Sequence, residues 1–445
     1  MREMKDSGIQ WLREYPANWN LIKIKYCLKE RVEKNNPVRT TDILSLTAKQ
    51  GVIPFDQKEG GGNKPKEDVS AYRLAYPGDI VMNSMNILSG SVGLSNYFGC
   101  VSPVYYMLRP IDKSEDVRFY NYIFQSTVFQ RSLYGLGNGI LIKESGNGKL
   151  NTIRTRIPID KFGGLFIPVA PIQEQKSIAN FLDAKCTEID ALAADIQAQI
   201  ETLEQYKRSI ITEVVTKGLN QNVQMKDSGI ECIGDIPSDW KIKRVKHIAS
   251  SLSKGNGITR EDVKEDGNIQ CIRYGEIYSK YENSFKECIS YTNLESIESP
   301  KFATYGDTLF AATGELIEEI GKNIVYLGTS PCLVGGDIIM MRHNQNPSFL
   351  NYALNSNYAQ MQKSRGKAKL KVVHISASDI GNIRLALPPI REQEAISNFL
   401  DIKCSEINEI VMKRKEQLEV LNEYKKSLIY EYVTGKKEVP TIWSD

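Results

Sequence analysis

The chain has 445 residues, of which 41% are hydrophobic and 25% are charged, and its net charge is only +3. This composition is typical of a water-soluble protein, and the sequence has no apolar run of the roughly 18 residues that a membrane span needs. A chain this long exceeds a single compact core, so we expect at least two domains. The eight cysteines show no CxxC spacing and the first residues lack the apolar centre of a signal peptide, which predicts a cytoplasmic protein with free thiols.

The first predicted region, residues 1–168, is rich in strands. Short apolar runs at 42–46, 79–82 and 104–110 are separated by Gly, Asn and Pro, a pattern typical of strands joined by turns, and a helix is predicted near 115–134. Several basic side chains near the end of this region are candidates for contact with an acidic partner: Lys143, Lys149, Arg154 and Arg156.

A long amphipathic helix is predicted next, beginning at the stretch PIQEQKSIANFLDAKC, residues 171–186. Pro171 suits the first helical position, and Glu174 suits the first turn, where the helix dipole favours an anion. No Gly or Pro interrupts the run for about 45 residues, which at about 1.5 Å per residue predicts a helix of roughly 65 Å. Its apolar stripe recurs in steps of three and four: Ile178, Leu182, Cys186, Ile189, Leu192, Ile196, Ile200, Leu203, Tyr206, Ile210 and Val214.

The second half of the chain repeats the first. MKDSG at residues 4–8 returns at 225–229, and the helix start returns at 389–404 as PIREQEAISNFLDIKC, with eleven of sixteen residues identical. Two more residues return between these stretches: Pro16 as Pro237, and Trp19 as Trp240. The second stripe is interrupted once, by Arg414: Ile396, Leu400, Cys404, Ile407, Ile410, Arg414, Leu418, Leu421, Tyr424, Leu428 and Tyr432. The order is therefore domain, helix, domain, helix.

The second strand-rich region covers residues 221–386. Apolar runs at 270–277, 307–314 and 337–342 predict strands, and 347–363 predicts a helix. If the segment after this helix is a strand, its alternating lysines point to one face. Contact with DNA and an ordinary solvated edge strand, which lysine also protects, explain these lysines equally well. The basic candidates in this region are Lys254, Arg273, Lys367, Lys369 and Lys371.

Two long helices with a single stripe must each bury that stripe. Each helix can pack on its own domain, or the two related helices can pack on each other as an antiparallel pair with pseudo-twofold symmetry, which the duplication favours. In the antiparallel pair, Cys186 and Cys404 lie at opposite ends and cannot form a disulfide. The predicted contacts between the helices are Ile178, Leu182, Ile189, Ile196, Ile200, Leu203, Ile396, Leu400, Ile407, Leu418, Leu421 and Leu428.

The residue patterns of several enzyme and metal sites are missing from the sequence. There is no Asp/Asn-Pro-Pro-Tyr/Phe loop of an amino-methyltransferase, no Gly-x-Gly-x-x-Gly after a strand, and residues 314–323 have the wrong spacing for a phosphate loop. The three histidines are scattered, so we expect no metal site. The helical segments 171–220 and 389–439 carry charges of −3 and −1, which leaves about +7 for the rest. This distribution favours binding of an acidic partner such as DNA over catalysis.

The doubled motifs together resemble those of one protein family. MKDSGIECIGDIPSDW at 225–240 and LPPIREQEAISNFLD at 387–401 resemble the common opening and helix start of the specificity (S) subunits of type I restriction–modification systems. The first helix start departs slightly, since Val169-Ala170-Pro171 stands where the second copy has Leu387-Pro388-Pro389.

The resemblance implies an α+β fold. Two similar mixed α/β, strand-rich target recognition domains would be separated by two long helices that form an antiparallel coiled-coil pair. The expected boundaries are 1–168 for the first recognition domain, 169–220 for the first spacer helix, 221–386 for the second domain, 387–439 for the second helix and 440–445 for a tail.

The resemblance also implies a function and partners. Each recognition domain would read one half of a bipartite site in double-stranded DNA, and the helix pair would set the half-site spacing. Two modification (methyltransferase) subunits would dock on the chain, and restriction subunits with translocase and nuclease activity are a further implied partner. This chain would bind no cofactor, while S-adenosylmethionine, ATP and magnesium would act on partner subunits. The alternatives are a coiled-coil scaffold that does not read DNA, and an enzyme with an unrecognised site.

Overall fold

The protein was analysed as a computed structural model, which describes residues 2–47, 50–58, 65–87, 90–137, 156–294, 297, 299–367 and 372–440. The chain forms two compact units. Unit 1 comprises Met1–Ile196 with Glu416–Asp445, and unit 2 comprises Gln197–Lys415. Among the described residues, no helix combines the length and the apolar character that crossing a membrane would require.

Unit 1 contains antiparallel strands joined by short helices. A central sheet has the strand order Leu28–Glu30, Tyr105–Pro110, Ile80–Asn83 and Val92–Leu94. Smaller antiparallel pairs surround it: Met4–Asp6 with Glu14–Pro16, Asn20–Lys23 with Phe166–Val169, Arg73–Ala75 with Gly99–Val101, and Leu44–Thr47 with Gly51–Pro54. Its short helices are Ile24–Cys27, Val117–Gln125, Thr127–Ser132 and Ile159–Gly163, with a 3-10 turn at Phe55–Gln57.

Unit 2 repeats this plan with additional strands. One sheet has the order Ala249–Lys254, Ile338–His343, Thr308–Ala311, Asn323–Tyr326 and Ser284–Phe285. A second has the order Ser290–Thr292, Ile269–Ile272, Cys332–Val334 and Phe302–Ala303. The smaller pairs are Met225–Asp227 with Asp235–Pro237, Lys241–Arg244 with Arg384–Leu387, and Thr313–Gly314 with Val373–His374. The helices are Tyr274–Ser279, Pro347–Asn355, Asn357–Ser364 and Ala377–Asn382, with 3-10 turns at Val245–His247 and Ile317–Glu319.

The two long helices begin where the sequence predicts. The first spans Ile172–Lys217 and the second spans Ile390–Val433, each directly after the proline of its helix start. The first ends at Lys217, and the next residue, Gly218, has a φ of +75°, in the left-handed region that favours glycine. The predicted α+β fold, with two strand-rich domains and two long helices, is therefore confirmed.

The two long helices run antiparallel to each other. In unit 1, the ring of Phe181 lies 4.5 Å from that of Tyr432, and Lys425 donates to both carboxylate oxygens of Asp190 at 2.6 and 2.7 Å. As residue numbers rise along one helix, those of its partner fall. In unit 2, Lys207 donates to the side-chain oxygen of Asn408 at 2.6 Å. The antiparallel pairing is therefore confirmed.

In each unit, half of each long helix shares a core with the strand-rich domain. Both proposed ways of burying the stripe therefore operate together. In unit 1, Ile178, Leu182 and Ile189 lie in one core with Leu428, and Leu421 packs against it. The other predicted contacts are distributed as follows: Ile396 and Leu400 in the core of unit 2, Ile196, Ile200 and Ile407 buried, and Leu203 and Leu418 half-buried.

The stripe is not buried along its whole length. Leu192, Tyr206, Ile410 and Tyr424 are 48%, 54%, 45% and 53% exposed. A heptad stripe drifts around a straight helix of 3.6 residues per turn, so some of its positions leave the covered face. Leu192 corresponds to Ile410 and Tyr206 corresponds to Tyr424 in the duplicated sequence, because each second residue lies 218 positions after the first.

The repeated helix start binds each strand-rich domain through its glutamate. The indole N–H of Trp19 donates to Glu174 at 2.8 Å, and that of Trp240 donates to Glu392 at 3.0 Å. Burial raises the pKa of Glu392, and the Trp240 hydrogen bond partly offsets this by stabilising the carboxylate. In unit 1, Arg2 also forms an ion pair with Glu174 at 2.6 Å.

The next residue of the helix start binds the same domain through its amide. Gln175 accepts a hydrogen bond from the backbone N–H of Asp116 at 3.1 Å, and Gln393 accepts one from Asn346 at 3.0 Å. Asp116 and Asn346 are the N-cap residues of the domain helices Val117–Gln125 and Pro347–Asn355. The buried glutamines thus fix the start of a second helix in each domain.

The aspartate of the FLD triplet makes the third repeated contact. The phenol of Tyr122 donates to Asp183 at 2.6 Å, and that of Tyr352 donates to Asp401 at 2.7 Å. Burial and these carboxylates raise the pKa of both phenols, which therefore stay protonated and remain donors. Each tyrosine belongs to the helix whose N-cap the glutamine holds, so two contacts orient one helix.

Cys186 and Cys404 are buried in the cores of unit 1 and unit 2 respectively, and both thiols are free. Burial raises the pKa of Cys186 to about 11 and also raises that of Cys404. Both residues therefore behave as small hydrophobic side chains in these cores.

Trp240→Phe should lower the free energy of unfolding by about 1–3 kcal/mol, because it leaves a half-buried carboxylate without its donor. The loss should be larger at pH 7 than near pH 4. Burial already raises the pKa of Glu392, and without the indole N–H its ionised form becomes still less favourable in the folded state. Urea unfolding at both pH values measures this, with the exposed Tyr305→Phe as control. Equal stability of Trp240→Phe and wild type would show that the contact contributes nothing.

Candidate functional site

A basic groove in unit 2 brings together two of the side chains selected from the sequence. Lys254 ends one strand and Arg273 precedes the helix Tyr274–Ser279, and both line a groove of about 770 Å³. Arg260, Lys280 and the exposed ring of Tyr274 line the same groove. The groove therefore combines cationic side chains with an accessible aromatic face.

Glycines allow two loops of this groove to lie backbone against backbone. A Cβ atom on Gly255 would come within 2.3 Å of the carbonyl oxygen of Gly335, so any other residue would force the loops apart. The backbone N–H of Gly255 donates to Ile338, and that of Asn256 donates to Val334, each at 2.8–3.0 Å. The groove floor is therefore held by the backbone, while its charged side chains stand above it.

Two carboxylates balance part of the positive charge of the groove. Arg273 pairs with the buried Glu276 at 2.9 Å, and Lys254 lies 3.4 Å from Asp337. The lining thus has four cations against two anions. Glu276 also accepts hydrogen bonds from the backbone N–H of Arg273 at 3.0 Å and from Ser290 at 2.5 Å, which fixes the base of the Arg273 side chain.

The remaining basic candidates are not all described. Lys367 pairs with Asp379 at 2.9 Å, which uses part of its charge within the domain. Arg156 is exposed, and its guanidinium lies 5.8 Å from the ring centroid of Tyr106. The other candidates fall outside the described residues: Lys143, Lys149, Arg154, Lys369 and Lys371. The predicted lysine face at 367–371 therefore stays a prediction.

Unit 1 presents an arginine–aromatic surface that sequence reasoning missed. Arg31 lies 4.3 Å from the ring centroid of Tyr76, and Arg39 lies 5.9 Å from those of Tyr76 and Phe98. Asp79 holds Arg31 through two hydrogen bonds of 2.8 and 3.1 Å. Arg39 and Phe98 are exposed, so a guanidinium and a ring remain accessible.

Both surfaces carry the chemistry that nucleic acids require. Cationic side chains bind phosphates, arginine forks bind base edges, and exposed rings offer faces for stacking. Among the described residues, no cluster of three or more His, Cys, Asp or Glu side chains is suited to hold a metal ion. A sequence signal for the unit 1 surface existed in the spacing of arginines in RVEKNNPVR. The rings that join it come from distant residues, since Tyr76 follows the strand Arg73–Ala75 and Phe98 precedes the strand Gly99–Val101.

The helix pair carries a second kind of surface. In unit 1, Leu192 and Tyr424 are exposed near the Asp190–Lys425 ion pair. In unit 2, the equivalent Ile410 and Tyr206 are exposed near Lys207 and Asn408. The exposed apolar side chains of the helices thus include one aliphatic and one tyrosine residue at duplicated positions in each unit. Val420 in unit 1, and Ile402 and Met412 in unit 2, are exposed as well.

Comparisons with known proteins show similarity to one family. Residues 237–420 match the family model described as type I restriction modification DNA specificity domain. The type I restriction enzyme MjaVIII specificity subunit of Methanocaldococcus jannaschii is 27% identical over 303 residues, covering 66% of this chain and 68% of that protein. A putative type I restriction enzyme MjaX specificity subunit from the same organism is 26% identical over 281 residues, covering 62% and 60%. The resemblance predicted from the doubled motifs is confirmed.

The fold is shared with a solved structure. A chain from work on complex assembly and conformational transition of the type I R-M system matches with a TM-score of 0.68 at 14% identity, covering 95% of this chain and 99% of that one. The HsdS subunit from Thermoanaerobacter tengcongensis matches with a TM-score of 0.49 at 13% identity, over 95% and 98%.

Proposed function

Since this chain is similar to the specificity subunits of type I restriction–modification systems, which are not themselves catalytic, we propose that it selects a bipartite DNA site for a methyltransferase complex. The recognition domains proposed at 1–168 and 221–386 each read one half-site. The helix pair sets the distance between the half-sites. S-adenosylmethionine, and ATP and magnesium where restriction subunits join, act on the partner subunits.

The two units combine identical contacts at the helix start with different exposed surfaces, and this combination supports the proposal. The same three contacts, from Glu, Gln and Asp of the helix start, fix each strand-rich domain to its helix, while the exposed surfaces of the two domains differ. Unit 1 presents Arg39 with Phe98, whereas unit 2 presents Lys254, Arg260 and Tyr274 around a groove. A common frame with different surfaces is what reading two different sequences requires.

Rigid mounting supports the spacing role. Each long helix is continuous over more than forty residues, and its first turns are bonded to a strand-rich domain. A flexible linker would let the two recognition domains bind half-sites at many separations, whereas helices allow a single separation.

The exposed apolar pairs on the helices are the proposed docking sites for the modification subunits. Leu192 with Tyr424, and Ile410 with Tyr206, occupy equivalent positions in the duplicated sequence. Tyrosine is enriched at the centres of protein interfaces, where apolar side chains become buried. Two equivalent pairs fit two copies of one partner. A scaffold that does not read DNA would use the same pairs, so DNA binding must be tested separately.

Replacing Lys254, Arg260 and Lys280 together by alanine should weaken DNA binding by the complex with its modification subunit. Each lost phosphate contact should reduce the salt slope by about one and the affinity by roughly threefold to tenfold. A matched triple variant at the exposed Lys241, Lys243 and Lys246 serves as control. Fluorescence anisotropy over a salt series measures both quantities. If the groove variant and the control bind alike, the groove is not a DNA contact.

Shortening both helices by one heptad should change the spacing of the methylated site. Deleting residues 195–201 and 414–420 removes about 10 Å from the pair and retains the Asp190–Lys425 and Lys207–Asn408 contacts, so the spacer should shorten by about three base pairs. Methylation mapping of a host genome with the wild-type gene, the shortened gene and no gene measures this. Altered base preference in both half-sites would contradict the spacing role, and no methylated motif with the wild type would contradict the function.

Replacing Leu192 and Tyr424 by alanine should cost one of the two docked modification subunits. Losing a central apolar contact of an interface costs about 2 kcal/mol, or roughly thirtyfold in affinity. Native mass spectrometry should show complexes with one modification subunit instead of two. Replacing Ile410 and Tyr206 by alanine should cause the same loss. The exposed Leu219→Ala, outside both pairs, serves as control. Full occupancy in both double variants would place the docking sites elsewhere.

A further inference from the structure

One pair of equivalent positions on the long helices differs in charge between the two units. Asp190 in the first helix corresponds to Asn408 in the second, and Lys425 corresponds to Lys207, each at a separation of 218 residues. In unit 1, the lysine and the aspartate neutralise each other across the helix pair at 2.6 and 2.7 Å. In unit 2, an asparagine faces the lysine, so the lysine charge has no carboxylate from the helix pair at this position.

Glu282 of the strand-rich domain supplies the missing carboxylate. It receives a hydrogen bond from Lys207 at 2.5 Å, and the side-chain amide of Asn408 donates to both of its oxygens at 3.0 Å. Burial raises the pKa of Glu282, but the hydrogen bond and charge of Lys207 together lower it by more. The net shift of the pKa is therefore downward, and the carboxylate stays ionised. The amide of Asn408 both accepts from Lys207 and donates to Glu282, which an aspartate does not do.

Glu282 is connected to the basic groove by a short stretch of chain. It lies three residues after the helix Tyr274–Ser279, whose first turn carries Tyr274 and Glu276 beside Arg273. On its other side, Phe285 belongs to the edge strand of a sheet, and the ring of Tyr281 lies 4.6 Å from that of Phe285. A contact at Glu282 therefore restrains the segment that follows the groove helix.

We propose that Glu282, held by Lys207 and Asn408, is a positioning residue that fixes the groove side of the second recognition domain to the helix pair. This inference rests on the proposed function. The contact depends on the asparagine at position 408, because an aspartate there would repel Glu282 and pair with Lys207. The second domain is thereby fastened at a point beyond the three repeated contacts of the helix start.

Asn408→Asp tests the contact directly, because it restores the charge pattern of unit 1 with almost no change in shape. Hydrogen–deuterium exchange of the full chain in complex with its modification subunit should show backbone amides of residues 280–283 exchanging about fivefold to tenfold faster. Glu282→Ala should have the same effect, and it leaves the helix pair untouched. Asp190→Asn, the reciprocal change in unit 1, is the matched control and should leave residues 280–283 unchanged. Unaltered exchange in both unit 2 variants overturns the proposal.

The positioning role is tested on DNA with the same proteins. Methylation rates are compared on duplexes whose half-sites are separated by the preferred spacer or by one base pair more or less. Asn408→Asp and Glu282→Ala should reduce discrimination between these spacers by about threefold to tenfold and leave the base preference of each half-site unchanged. Faster exchange with unchanged spacer discrimination overturns the positioning role. If the wild-type complex shows no sequence-selective methylation, the proposed function fails, while the exchange result still decides the contact.

Discussion

The hydrogen bond from a buried tryptophan to the glutamate of the helix start is the interaction on which both units depend. Trp19 and Trp240 lie in the cores of their strand-rich domains, and Glu174 and Glu392 lie in the first turns of the long helices. A carboxylate that loses water must gain donors, so each glutamate holds its helix start against the indole. The adjacent glutamine and the later aspartate then orient one domain helix. A repeated sequence motif thus forms a repeated contact between a strand-rich domain and a long helix.

The proposed function needs two surfaces that are held on helices, and the contacts of the helix start supply that attachment in each unit. The arginine–aromatic surface of unit 1 and the basic groove of unit 2 differ in residue type and in the elements that supply them. Their shared frame and different surfaces suit recognition of an asymmetric site.

A few positions at which the two copies differ account for contacts that unit 2 makes and unit 1 does not. Where the first helix has Asp190, the second has Asn408, and Glu282 of the strand-rich domain supplies the carboxylate in unit 2. The exposed pairs on the helices retain their aliphatic and tyrosine character in both copies, as one kind of partner bound twice would require. The two copies therefore share the contacts of the helix start and these exposed side chains, while they differ in the surfaces proposed to read DNA and in the contact of Glu282.

The sequence by itself determined the duplication, the two long helices and their beginnings, because proline, glutamate and a period of three and four residues act locally along the chain. It also predicted the antiparallel pairing, because two related stripes need a partner. Only the tertiary structure decided what Glu, Gln and Asp of the helix start contact, since Trp19 and Glu174 are 155 residues apart and no local pattern links them. The same holds for the exposed positions of the stripe and for Glu282, whose partners belong to two different helices.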